Sequence, residues 1–318
     1  MKCHQKCLAA SLFAIFSAAA IPAHALSNSG RIPVLLYHTW LQSGCDYSSN
    51  AIIAMQTDLE TLHSRGWTVI PAYWAAQWVI GDRDGSTVPE KVVAITFDDG
   101  PDQDWYDSTA CGYLPSGYTV LANFKAAHPS LPSYSPHAST FVISSPVARG
   151  MIGGQKSDWW WSAQNASNNL MEVYNHSVDH DHSNITSQQW DPFMFTYMAV
   201  GGYEDGNWAG TNNFMRINTY QESDIEVRKS GDYISGIIGV YPDLFAYPFG
   251  HASAYLKGTY FPNYASEHKT YAAFCLTDNA ALRGGDRFCI PRFTYGDGTA
   301  NVWTTSNQFI VNVLGETP

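Results

Sequence analysis

Lys91 to Phe97 reads K-V-V-A-I-T-F, a continuous apolar and β-branched run without polar alternation, and it stops abruptly at Asp98-Asp99-Gly100-Pro101. A strand of that kind must be covered on both faces, as strands of parallel sheets flanked by helices are. The D-D-G-P that follows is turn chemistry. Further apolar runs at Val34–Tyr37, Thr68–Ile70, Ser139–Ile143, Leu244–Tyr247, Ala272–Cys275 and Phe288–Ile290 read as strands. Between them, residues 50–65 carry helical spacing, with Ile53, Leu59 and Leu62 on one face. Helices are also expected near 120–127, over 164–173 leading into Glu172-Val173-Tyr174, and over 222–238. Strands alternating with helices predict an α/β protein with a mostly parallel sheet. No repeat, low-complexity tract or linker divides the chain, so residues 26–318 are expected to form one domain.

Residues 1–25 have the pattern of an export signal. Lys2 and Lys6 precede an apolar stretch from Leu8 to Ala20, and Ala23-His24-Ala25 resembles a cleavage site. The stretch is short for a bilayer span. An uncleaved anchor is the alternative. Cys45, Cys111, Cys275 and Cys289 remain after the leader. An even count in an exported chain suggests disulfides, with Cys275 and Cys289 paired by proximity, leaving Cys45 with Cys111. The net charge is −11 over 318 residues, and loss of the two leader lysines makes it more negative. Such acidity argues against a nucleic-acid partner.

Three polar clusters follow predicted strands, where parallel α/β proteins build active sites. In Asp98-Asp99, two adjacent carboxylates project in different directions, so one can bind a cation while the other stays free as a base. In His176-Ser177-Val178-Asp179-His180, two His four apart share a face if the segment is a helical turn, and both imidazoles can then meet one ion. His182 is a substitute ligand nearby. In Tyr247-Pro248-Phe249-Gly250, Pro248 fixes the backbone so that an N–H just after it can face a reaction centre. Each cluster alone has a plain alternative as a turn or a surface His pair. Together they give a His-His-Asp donor set for a divalent metal, zinc ahead of cobalt, iron or nickel.

T-F-D-D-G, H-S-x-x-H and Y-P-F-G, with the S-T-F-V-I strand between the first two, resemble the motifs of NodB-homology polysaccharide deacetylases, carbohydrate esterase family 4. The chain is most similar to the poly-N-acetylglucosamine deacetylase branch. P-V-L-L-Y-H at 33–38, F-A-Y-P-F-G at 245–250 and D-R-F-C-I-P-R at 286–292 carry that likeness. The resemblance covers residues 31–295. It implies a distorted (β/α) barrel with fewer than eight full units and a metal-dependent hydrolase that removes acetyl groups from an N-acetylated glycan. By the same resemblance, Asp99, His176 and His180 bind the metal and Asp98 is the general base. The Phe249 backbone N–H holds the oxyanion, and Pro248 and Tyr247 join it as oxyanion or substrate residues lining the cleft.

Two departures follow. Most of the family has Arg where this chain has Ala246, and that Arg orients the base; Arg292 is the candidate replacement. Most of the family also carries a late His as general acid, whereas no His follows His268 here. The L-L-Y-H at the start stands for that motif by circular permutation, which makes His38 the acid. An O-acetyl glycan esterase, or an inactive glycan-binding protein on the same scaffold, are the rival readings. Trp105 and Tyr106 are expected to line a groove. The Trp159-Trp160-Trp161 run is read equally as sugar platform or core.

Overall fold

The computed structural model describes residues 25–185, 190–191, 196–197, 210–296 and 303–318. The leader read at residues 1–25 therefore falls almost wholly outside the described residues. Eight parallel strands form the main sheet: β1 (Val34–Tyr37), β2 (Thr68–Ile70), β3 (Val92–Phe97), β4 (Ala138–Val142), β5 (Met171–Asn175), β6 (Leu244–Ala246), β7 (Ala272–Leu276) and β8 (Ile290–Thr294). Seven of them close into a ring in the order β1-β8-β7-β6-β5-β4-β3 and back to β1, with β2 paired outside the ring to the first half of β3. Closure depends on β1, which sits between β8 (Phe293 opposite Leu35) and β3 (Leu35 opposite Ile95). The architecture is a closed, all-parallel (β/α) barrel of fewer than eight units.

The sequence dictates this locally. All six residues of β3 and all five of β4 are buried, as expected of strands with a filled interior on one side and helices on the other. Helix α1 (Ala51–Ser64) begins at Asn50, whose Oδ1 accepts from the Ile52 and Ile53 amides at 3.0 and 3.3 Å. Its buried face is Ile52, Met55, Leu59 and Leu62, a helical stripe against the barrel. Helix α2 (Ala72–Ile80) ends at Gly81 in the left-handed conformation. Ser116 caps α3 (Gly117–Ala127) through the Thr119 amide. Ser145 caps α4 (Pro146–Ile152) in the same way, with Pro146 in its first turn.

One helix lies elsewhere than expected. Of residues 164–173 only the first two are helical: α5 is Trp160–Asn165, and Met171–Asn175 is already β5. Burial decided the matter, because Trp159 and Trp160 are enclosed in the core and pull the helix forward. Trp161, on the same helix, is 58% exposed. The run is therefore two parts core and one part surface. The 222–238 segment is helical throughout. It begins at Tyr220–Ser223 behind a Thr219–Glu222 capping box, widens over Asp224–Lys229 and continues as α6 (Ser230–Ile238). The disulfides are Cys45–Cys111 and Cys275–Cys289, as expected from their spacing.

Under β1 lies a closed polar network. Asp58 of α1 accepts from the Tyr37 hydroxyl at 2.8 Å, the Tyr47 hydroxyl at 2.6 Å and the Trp303 indole at 3.1 Å. Burial pushes its carboxyl up to about 7 in spite of those three donors. The proton held in the fold is released by the unfolded chain once pH passes the ordinary Asp range. Stability from this group is therefore greatest below that range and falls as pH rises toward 7. Asp58→Asn should flatten the loss of stability between pH 4 and 7, measured as denaturant midpoints of parent and variant. Equal pH slopes in the two proteins would refute it.

Candidate active site

Every cluster singled out in the sequence reaches the carboxyl end of the barrel. Asp98 and Asp99 follow β3, His176 and His180 follow β5, and Phe249 follows β6. His38 follows β1, and Arg292 projects from β8. The turn after β3 is a tight fit. Asp99 has φ of 72° and Gly100 of 61°, and a Cβ on Gly100 would sit 2.7 Å from Val142 Cγ1. Only glycine fits there, and the bend turns the two carboxylates apart as the sequence suggested.

The His-His segment is not a helical turn. Ser177, His180 and Asp181 all have positive φ, at 74°, 64° and 46°. Side chains take the place of helical bonds: Asn175 Oδ1 accepts from the Ser177 amide at 2.9 Å and Ser177 Oγ from the His180 amide at 3.0 Å. Glu226 Oε2 accepts from the Val178 amide at 2.9 Å. The loop reaches the geometry the helix was meant to supply. His176 Nε2 and His180 Nε2 lie 3.4 and 3.3 Å from Asp99 Oδ1, and one donor atom from each of the three residues lies within 4.8 Å of the others.

These residues fit a divalent metal. His176 Nδ1 is 2.9 Å from the Ala246 carbonyl oxygen. A carbonyl only accepts, so Nδ1 carries the proton and Nε2 keeps its lone pair toward Asp99, the usual arrangement behind a ligating imidazole. Burial pulls the His176 pKa down, yet the Asp98 and Asp99 carboxylates raise it above the usual value. The spot draws positive charge. His180 is lowered to about 3 by burial, so its ring is neutral, the form that ligates. Two imidazoles and a carboxylate suit zinc and its neighbours. His182, the substitute, has its ring centre 6.0 Å from that of His180 and lies outside the set.

Asp98 is almost entirely buried. Arg292, fully buried, donates to both its oxygens, Nη1 to Oδ1 and Nη2 to Oδ2, each at 2.7 Å. Burial alone would raise the Asp98 pKa, but the guanidinium holds it below the usual carboxylate range. Arg292 thus reaches the acid from another strand, while Ala246 contributes its carbonyl to His176 instead of a side chain. Phe249 has φ of 57° and ψ of 9°, and its ring meets His180 edge-on at 4.3 Å. Tyr247 departs from expectation: its ring is buried and its hydroxyl donates to the Phe288 carbonyl at 3.0 Å, so its side chain serves the core and not the cleft. Pro248 is buried beneath the turn.

A cavity of about 900 Å³ opens over these groups, lined by His38, Trp40, Asp98, Asp99, His180 and Phe249 among others. Trp105 is not among its walls. It packs on Tyr118 and Trp159, at 4.2 and 6.2 Å between ring centres, and Tyr106 bonds Asp158 outside the cleft. Two site residues escaped the sequence reading. Trp40 Nε1 donates to Asp99 Oδ2 at 2.8 Å. Asp104, fully buried, accepts from Thr39 Oγ1 at 2.6 Å and Thr140 Oγ1 at 2.5 Å, and burial lifts its carboxyl to about 8. Nothing in the local sequence marks either one; their partners come from other strands.

The family profile described as polysaccharide deacetylase matches residues 85–260, more than half of the chain. The chain belongs to the polysaccharide deacetylase family. The matched span holds Asp98, Asp99, His176, His180 and Phe249, while His38 and Arg292 lie outside it. No curated protein matches in sequence. Among solved structures, Streptococcus pyogenes deacetylase PplD in complex with acetate superposes with a TM-score of 0.56 at 13% identity, over 84% of this chain and 93% of that one. A de-N-acetylase from Aggregatibacter actinomycetemcomitans gives 0.52 at 17%, over 82% and 94%. IcaB from Ammonifex degensii gives 0.50 at 17%, over 85% and 93%. At these identities the likeness is one of fold.

Removing the guanidinium from this deacetylase should leave an unpaired buried charge. Arg292→Met is expected to destabilise the protein by about 3–5 kcal/mol. Adding Asp98→Asn should recover part of that loss. Chemical denaturation of the two single variants and the double variant checks this, and strict additivity would count against the pair.

Proposed function

We propose that this deacetylase is a divalent-metal-dependent hydrolase that removes N-acetyl groups from an N-acetylglucosamine-type polysaccharide outside the cytoplasm, releasing acetate. The observation that carries the proposal is the convergence of Asp99, His176 and His180 beside the Arg292-clamped Asp98 in one cleft. The de-N-acetylase among the structural neighbours supports the N-acetyl reading. The leader pattern and two disulfides support export.

Asp99, His176 and His180 would hold the cation. It supplies a Lewis acid that polarises the acetyl carbonyl and makes water acidic enough to react near neutral pH. The chain's own groups do the rest. Arg292 keeps Asp98 ionised and fixes its plane, so that the carboxylate takes a proton as water attacks the carbonyl carbon. The left-handed Phe249 presents its backbone N–H to the oxygen on which charge develops. An amide nitrogen leaves only when protonated, and His38, at the end of β1 in the same cleft, gives it that proton. The products are acetate and a free amine on the sugar. The clamp from Arg292 speaks against the inactive-scaffold reading, since the missing motif Arg was its main support.

Asp98→Asn should abolish acetate release and keep metal content, whereas Asp99→Ala should lose both. His38→Gln should lower kcat by about 10²–10⁴. Acetate release from chitin oligomers, poly-N-acetylglucosamine, peptidoglycan and acetyl xylan, with and without chelator, tests the whole assignment. Full activity in chelator, or in either Asp variant, would overturn it. A preference for acetyl xylan would turn the reading to an O-acetyl esterase.

A further inference from the structure

Trp40 stands two residues beyond the end of β1, on the cleft wall, and is 49% exposed. Its indole is held in place by a hydrogen bond and not by burial. Its indole N–H donates to Asp99 Oδ2 at 2.8 Å. The other oxygen of the same carboxylate, Oδ1, faces His176 and His180. Its ring centre is 5.7 Å from that of His38, at 62° between planes. One side chain thus touches the third donor of the His-His-Asp set and neighbours the His38 imidazole.

We infer that Trp40 has two separable roles in this cleft: its N–H orients Asp99 so that only Oδ1 is offered to a cation, and its exposed ring face is a stacking subsite for a pyranose ring of the substrate. This rests on the proposed function for the identity of the substrate and the need for a metal. The first role follows from geometry. A carboxylate with one oxygen tied by a donor cannot swing to chelate through both, so the set stays a three-atom one with room left for water and the acetyl group. The second follows from the chemistry of the ring. An indole anchored at its polar end keeps its apolar face fixed in the cleft at little entropic loss, and the C–H face of an N-acetylhexosamine is its natural complement. Trp40 is a positioning residue for the metal and a binding residue for the sugar.

Two variants of the full chain separate the roles. Trp40→Phe keeps a ring and removes the donor. Trp40→Gln keeps a donor at similar reach and removes the ring. Zinc alone, titrated calorimetrically into metal-stripped protein, should bind Trp40→Phe about 10–100-fold more weakly than parent and Trp40→Gln nearly as well as parent. At saturating zinc, KM for an N-acetylglucosamine pentasaccharide should rise about fivefold in Trp40→Gln and stay near the parent value in Trp40→Phe. Thermal midpoints should match in all three, since the side chain is half exposed. Parent-like zinc affinity in Trp40→Phe, parent-like KM in Trp40→Gln, or equal loss of both properties in both variants would overturn the inference. A parent that binds zinc but releases no acetate would overturn the proposed function alone, because the zinc arm would still judge the orienting role.

Discussion

A carboxylate almost out of reach of water cannot stay ionised without a cation against it, and Asp98 meets that demand through Arg292. The rest of the site is arranged around this pair. Arg292 lies on the last strand of the ring and Asp98 at the end of the third. They meet because β1 and β8 close the barrel beside β3. Closure also carries His38 and Trp40, at the end of β1, to the same mouth. A family member with its arginine at the end of β6 could orient its acid without help from β8. Here Ala246 occupies that place, and its backbone carbonyl fixes the tautomer of His176.

Four carboxylates, three buried and Asp99 partly so, show how finely this environment sorts protons. Asp98 and Asp99 are held below the usual range against the opposing effect of burial, Asp98 by the Arg292 guanidinium first and Asp99 by its hydrogen bond with His176 first. Asp104, a few residues on, has only threonine hydroxyls and is lifted to about 8, and Asp58, with two tyrosines and an indole, to about 7. The rule is one of partner type. The hydroxyl and indole donors at Asp104 and Asp58 do not offset desolvation of a charge, whereas the guanidinium beside Asp98 does. Asp104 therefore braces Thr39, beside His38, and Thr140 of β4 without adding a third negative charge near Asp98 and Asp99.

Much of this was legible in the chain. The run from Val92 to Phe97 reads as a doubly covered strand because it is apolar and β-branched without polar alternation. The D-D-G stop gave two divergent carboxylates because glycine alone fits against Val142. What failed was the inference from spacing to backbone. Two His four apart suggested a helix, but Asn175 and Ser177 side chains bond the backbone and build a left-handed loop that brings the rings together by another route. Trp105 failed for a similar reason: its position beside the first motif said nothing of Tyr118 and Trp159, which claim its ring. Tyr247 looked like cleft by sequence neighbourhood, yet the alternation of strand faces sends it into the core. Trp40 and Asp104 stayed hidden because what makes them part of the site is a contact across more than 30 residues with another strand's end.

A site drawn from strands far apart in the sequence has a weakness that a compact motif lacks, since loosening of either strand would dismantle it. The two disulfides fall where that matters. Cys45–Cys111 ties the loop after β1, which carries His38 and Trp40, to the segment after β3, which carries Asp98 and Asp99. Cys275–Cys289 ties β7 to the residue just before β8, three positions from Arg292. The network at Asp58 adds a non-covalent brace, joining β1 through Tyr37 to the C-terminal segment through Trp303. Cross-links act by limiting the freedom of the open state, and these two limit it for the segments on which the Asp98–Arg292 pair and the cleft wall depend. The matched family span from 85 to 260 lies inside both strand ends. The covalent braces thus join what the common motifs supply to what this chain brings from outside them.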